Sequence, residues 1–243
     1  MRRVFLSILF ILVLNHGAYS KELKCNPYKS LKNWDNCVGE HVYPDGIYNG
    51  EFKSGIPHGE GKWIAKDGSI YTGGFNNFQL DGKGFLNVPG KFTYDGYFKD
   101  GNFNGEGTYT LENGEKYIGE HLNGLPNGNG KYFWPDGQTY TGAFKDGLKD
   151  GKGKIEFANG AFLEGNFKND FANGDGYEKF ANGLIYEGSY KDGKMNGYGK
   201  LIYVDGTTST GIFKDDKKDG DHVVVFPNGN KEVRTYKDDI EIN

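Results

Sequence analysis

Long apolar runs are nearly missing from this chain of 243 residues. The one exception, Val4–Leu14, has eleven residues, too few to cross a bilayer as a helix. Mean hydropathy is −0.70, so no membrane-spanning domain is expected. Cysteine is scarce as well, with Cys25 and Cys37 the only two. Eleven residues separate them, where a redox pair favours C-x-x-C. Excess positive charge is also lacking: 29 Lys and Arg stand against 33 Asp and Glu. An anionic chain is repelled by nucleic acid, and by anionic lipid unless its basic residues cluster. Nucleic acid is therefore not expected as a partner.

Glycine is what abounds, at 40 residues against seven prolines, together with 17 Tyr and 18 Phe. So many rings exclude a disordered polar linker. Glycine-rich and aromatic-rich together point to β-structure with many tight turns.

The first twenty residues stand apart. Arg2 and Arg3 precede the apolar run, and Ala18-Tyr19-Ser20 places small residues at −3 and −1. This is the anatomy of a secretory signal peptide; cleavage after Ser20 and export to periplasm or medium are expected. Losing Arg2 and Arg3 leaves a net charge of −6. In an exported chain Cys25 and Cys37 read as a disulfide, a staple of about 3 kcal/mol in the chain-entropy model.

The remaining sequence repeats. Glycines at 59, 82, 105, 128, 151, 174, 197 and 220 are spaced by 23 residues, as are those at 50, 73, 96, 119, 142, 165, 188 and 211. Eight units of 23 residues thus run from Tyr48 to Lys231. Position 1 is Tyr48, Tyr71, Tyr94, Tyr117, Tyr140 and Tyr186, with Leu163 in the sixth unit and Ser209 in the last. Position 3 is Gly, and position 5 is aromatic except at His121. Positions 12 and 14 read Gly-x-Gly until His222 breaks the last. Position 18 is apolar throughout, from Ala65 to Trp134 to Phe226, and positions 20 and 21 are Asp-Gly or Asn-Gly in every unit but the second.

Positions 1, 3 and 5 fall on one face of a strand, and so do 12, 14, 16 and 18. The intervening positions are mostly polar, so the opposite face is expected to be wet. Asp-Gly and Asn-Gly are strong hairpin signals. Each unit reads as a β-hairpin, and the units stack into a single elongated, twisted antiparallel sheet: an all-β fold behind a signal-peptide helix. The glycines serve turns and leave room for rings to lie on bare backbone.

The pattern Y-x-G-x-F-K-[DN]-G-x-x-x-G-x-G-x-[FYI], as in Tyr94–Tyr109 and Tyr140–Ile155, resembles the MORN (membrane occupation and recognition nexus) repeat. The resemblance covers residues 48–231. It implies a hairpin array that acts as a scaffold, binding proteins, dimerising or touching phospholipid, without catalysis of its own.

The expected organisation is a signal peptide over 1–20, a cap with the disulfide and a half-unit over 21–47, eight units over 48–231, and a degenerate strand and tail over 232–243. No active site emerges, and no cofactor or metal is expected. "GLKDGKGK" lacks the P-loop spacing. In "DDKKDGD", Lys217 sits where an EF-hand needs its second ligand. None of His41, His58, His121 and His222 is paired by a local motif with a nucleophile. Two binding rows remain. The tyrosines of position 1, with Trp134, form a ladder that is either core or an open groove for a glycan or a partner segment. Lysines at position 6 (Lys53, Lys99, Lys145, Lys168, Lys191 and Lys214) make a candidate lipid-facing row, opposed by Asp100, Asp146, Asp192 and Asp215 at position 7. The leading expectation is an exported, non-catalytic scaffold for an unidentified protein partner, with self-association through its ends; a membrane or envelope surface and a glycan are the alternatives.

Overall fold

The computed structural model describes residues 23–242. The signal-peptide reading, including its helix, lies outside them. Among the described residues nineteen strands run from Cys37–Tyr43 to Ile240–Glu241. Each pairs antiparallel with the next, giving one open 19-stranded sheet. No α-helix occurs among the described residues; Leu31–Asn33 makes a single 3-10 turn. Strands touch their sequence neighbours and little else, as in other quasi-one-dimensional repeat proteins.

Each unit is a hairpin with two kinds of turn. At positions 7 and 8 both residues take positive φ, as at Asp100 (49°) and Gly101 (80°). This is the type I′ geometry whose twist matches the strands. The amide at position 8 donates to the position-10 carbonyl one unit back, as Gly101 N does to Leu80 O at 2.9 Å. At positions 20 and 21 the Asp or Asn side chain accepts the amide two residues on, as Asp136 does from Gln138 at 2.9 Å, and the glycine follows in the left-handed region.

One part of the expected face pattern is corrected. Gly50 faces Gly61, yet Phe52 faces Pro57, so the second strand spends two extra residues in a bulge. The same shift recurs in each unit, for example between Gly142 and Phe144. The position-12 glycine sits in that bulge with φ between +67° and +108°. It is glycine because the chain must pass through the left-handed region there, not because a ring needs the space.

The position-14 glycine is the one under the ring. A Cβ built on Gly153 would lie 2.3 Å from Tyr140 Oη. Each ladder tyrosine lies flat over the paired glycines of positions 3 and 14, Gly142 and Gly153 in the case of Tyr140. Each also meets two position-5 rings edge-on, its own unit's and the next one's. Tyr140 does so with Phe144 at 5.0 Å and Phe167 at 5.2 Å. Edge-to-face contacts suit the ring quadrupoles. The bulge leaves the position-4 carbonyl unpaired on that side, and the tyrosine hydroxyl fills the vacancy: Tyr140 Oη donates to Ala143 O at 3.0 Å.

The N-terminal segment closes this ladder. Cys25 and Cys37 are joined by a disulfide. Trp34 is buried, donates Nε1 to Asn26 O at 2.9 Å and meets Phe52 edge-on at 5.0 Å, continuing the zigzag of rings.

Candidate functional site

The ladder tyrosines are core. Tyr48, Tyr71, Tyr94, Tyr117, Tyr140 and Tyr186 are at most 1% exposed, and the hydroxyl of each is spent on a position-4 carbonyl. They offer no open ring to a sugar or a partner, so the groove reading of these six is set aside. Burial, the largest cause, holds their phenols above the ordinary value of 10.0.

Accessible rings on that face come from position 18 instead, beside the half-buried position-16 rings Trp63, Tyr109 and Tyr132. Trp134, Phe180, Tyr203 and Phe226 are half-buried, and Phe157 is 38% exposed. Each is held at the base of its turn by its amide, which donates to the position-22 carbonyl: Trp134 N to Gln138 O at 2.9 Å, Tyr203 N to Thr207 O at 2.8 Å. Of the residues singled out from sequence, only Trp134 belongs to this row. The periodic signal was present, but a strand pattern does not say which of two rings lies flat and which stands clear.

The lysine row is brought together on one edge of the sheet. Lys53, Lys99, Lys145, Lys168, Lys191 and Lys214 are all exposed. Lys145 pairs across its turn with Leu148, Lys168 with Phe171, and Lys191 with Lys194. Turn aspartates share this edge, and Lys194 meets Asp215 at 3.7 Å. Asp170, Asp216 and Asp239 instead accept backbone amides of the preceding unit at 2.8–2.9 Å. None of the six row lysines enters an ion pair among the described residues; Asp100, Asp146, Asp192 and Asp215 follow four of them directly in sequence and oppose their charge.

Both breaks in the tyrosine ladder are repaired from another strand. In the last unit Ser209 replaces the tyrosine, and His222 stands where position 14 is otherwise glycine. The imidazole fills the ring space, meeting Phe213 at 5.1 Å and Tyr236 at 5.4 Å edge-on. Its Nε2 lies 2.8 Å from Ile212 O, the carbonyl that a tyrosine hydroxyl serves elsewhere. A carbonyl only accepts, so Nε2 carries the proton and Nδ1 accepts from Ser209 Oγ at 3.1 Å. This serine–histidine pair was missed in the sequence because thirteen residues separate the partners; the legible signal was a simultaneous departure at positions 1 and 14. Ser209 and His222 are 1% and 0% exposed, and Ser209 borders the cavity at the C-terminal end. In the sixth unit, where Leu163 replaces the tyrosine, the Tyr190 ring approaches the place over Gly176 and donates to Glu178 Oε2 at 2.7 Å.

His121 stands where six other units have Phe. Buried at 4% exposure, it donates Nδ1–H to Gly119 O at 3.1 Å, and burial lowers its pKa from 6.5. A depressed folded value means that the unfolded chain takes up the proton first. Full stability is present above about pH 6.5 and falls below it, by up to about 1.4 kcal/mol per pH unit for each such histidine. His121→Phe should raise the melting temperature at pH 5 and flatten its decline between pH 7 and 5. Equal slopes for variant and wild type would refute a neutral buried imidazole.

At the C-terminal end of the ring face a cavity of about 580 Å³ opens, lined by Leu184, Tyr203, Val204, Lys218, Val224, Phe226, Arg234 and Tyr236 among others. The opposite face, expected to be wet, also carries an apolar patch near this end. Tyr198 pairs with Ile212 and Val223 with Val233 across strands, at 65%, 48%, 44% and 61% exposure.

The sequence profile of the MORN repeat matches residues 48–70, 94–116, 117–139, 140–162, 164–185 and 186–208, together more than half of the chain. Among solved structures, the TCP domain of Drosophila melanogaster SAS-4 (dCPAP), in complex with a proline-rich motif of Ana2, is 19% identical over 73% of this chain and 90% of its own, with a TM-score of 0.43. The TCP10 domain of Danio rerio CPAP, in complex with a peptide of STIL, is 16% identical over 85% and 97%, with a TM-score of 0.46.

Proposed function

The chain belongs to the MORN-repeat family, and from that premise we propose that it is a non-catalytic, exported scaffold that docks a protein partner along its ring face. The observation that carries this reading is the position-18 row, one apolar side chain per unit held half-clear of the sheet by its own turn. An accessible apolar row on a stiff frame, rimmed by polar turns, has the make-up of a protein interface. The leader-like segment before Lys21 and the Cys25–Cys37 disulfide support export to an oxidising compartment.

A second reading, self-association, is favoured by the Tyr198–Ile212–Val223–Val233 patch on the opposite face. A membrane surface is supported less, since turn aspartates share the edge with the lysines. The glycan alternative loses its six tyrosines and keeps only the position-18 rings.

Affinity capture with the mature chain from its native compartment tests the proposal. One protein should be retained reproducibly, and Trp134→Ser with Phe157→Ser should release it while the strand signal and a cooperative melt are kept. A partner held equally by that variant, or none at all, rejects the ring face as the docking surface. Light scattering on the same sample reads self-association, and an intact mass beginning elsewhere than Lys21 rejects the cleavage site.

A further inference from the structure

We propose that the C-terminal cavity is the anchor point for an acidic, apolar segment of the partner protein. An aliphatic or aromatic side chain would enter beside Tyr203 and Phe226, and a neighbouring carboxylate would meet Lys218. This rests on the scaffold reading and names the chemistry of the partner.

The cavity exists where the ladder ends, and its volume of about 580 Å³ lies within the range of clefts that enclose a ligand group. Leu184, Val224 and the Tyr236 ring supply apolar lining. At its rim Val204 is 77% exposed, an aliphatic side chain with nothing over it.

Charge selects the occupant. Lys218 Nζ stands 4.3 Å from the Tyr236 ring centroid and 5.7 Å from that of Tyr203. It enters none of the ion pairs formed among the described residues. The acids nearby are otherwise engaged. Asp239 accepts the Lys218 backbone amide at 2.8 Å, and Asp205 accepts the Thr207 amide at 2.8 Å. Arg234, the other cation of the lining, is matched by Glu232 at 2.8 Å and Glu241 at 3.6 Å. One ammonium therefore faces a cleft of mixed apolar and polar lining, with ring faces beside it and no ion pair. A carboxylate set beside an apolar side chain satisfies both features. A protein segment fits better than a free small carboxylate, because the cavity opens beside the half-buried position-18 row, over which a longer ligand buries further area.

The test uses the full mature chain and a fluorescent peptide alternating Asp with Leu and Phe, beside one with Lys for Asp and one with Ser for the apolar residues. The acidic–apolar peptide should bind at least about tenfold more tightly than either companion. Lys218→Glu and, separately, Val204→Asp should each weaken it by about tenfold or more, whereas Lys168→Glu, the same charge change on the turn edge, should not. Val204 is an exposed turn residue, so its variant reports on the cavity even if Lys218→Glu unfolds the last hairpins. The proposal is overturned if the acidic–apolar peptide does not bind, if the Lys peptide binds as well, or if both cavity variants bind like wild type. A captured partner that Trp134→Ser with Phe157→Ser releases but both cavity variants retain would leave the scaffold standing and remove the anchor.

Discussion

Gly153→Ala should destabilise the array by about 3 kcal/mol, and the pair Tyr140→Ser with Gly153→His should be more stable than any of the single changes at these two sites. The methyl of alanine would sit 2.3 Å from Tyr140 Oη and 2.5 Å from its ring. The ring cannot step aside, because Phe144 and Phe167 hold it from two sides. Overpacking of that kind costs about 1–3 kcal/mol or more, and a displaced hydroxyl leaves the Ala143 carbonyl unpaired, adding about 1 kcal/mol or more. Tyr140→Ser alone empties the ring space, at about 3–5 kcal/mol by analogy with other large-to-small core changes. Gly153→His alone drives an imidazole into an occupied ring. Together the two changes rebuild the arrangement that Ser209 and His222 already show. Urea melts of the four proteins give the coupling energy, expected at about 3 kcal/mol in favour of the pair. Simple addition of the two penalties would mean that His222 is no stand-in for a tyrosine.

That swap also marks where the sequence stops speaking plainly. A period of 23 in glycine, and turn dipeptides between extended runs, dictate hairpins, antiparallel order and the strand faces near Tyr94 or Tyr140. They do so because a side-chain period of two and the positive φ of a turn are properties of single residues and near neighbours. The bulge is different in kind. It shifts the pairing between Gly142 and Phe144 without disturbing the comb of glycines, so Gly151 looked like a ring platform and is a left-handed hinge at φ 108°. Which ring lies flat was equally hidden. Tyr140 and Trp134 both fall on the ring face, and their fates part only once Gly153 is placed under one of them and a turn under the other. The cavity's unpaired Lys218 could not be read at all: its rings, Tyr203 and Tyr236, come from different units, and the acids that neglect it do so for backbone amides.

Raising the pH above 10 should unfold the protein in one steep step, with tyrosinate absorbance and loss of strand signal rising together. All six ladder phenols are held above the ordinary value of 10.0, first by burial. Tyr94, Tyr140 and Tyr186 are pushed up to about 12, and Tyr48, Tyr71 and Tyr117 further. Geometry gives the reason beyond burial: each hydroxyl points its proton at a carbonyl, and a phenolate there would set two oxygens against each other. A raised folded value means that stability is complete below about pH 10 and is lost as the pH climbs from there towards the folded values. The limit is about 1.4 kcal/mol per tyrosine per pH unit. Even half of that, over six groups, removes about 4 kcal/mol between pH 10 and 11, comparable to the whole stability of a modest domain. Tyr140→Phe separates the two roles of the hydroxyl. Without its bond to Ala143 O the variant should melt lower at pH 8, yet its decline above pH 10 should be shallower, because one titrating rung is gone. Tyrosinate forming gradually while the strands persist would show that the phenols reach solvent without the sheet opening, and the flat, sealed ladder would have to be given up.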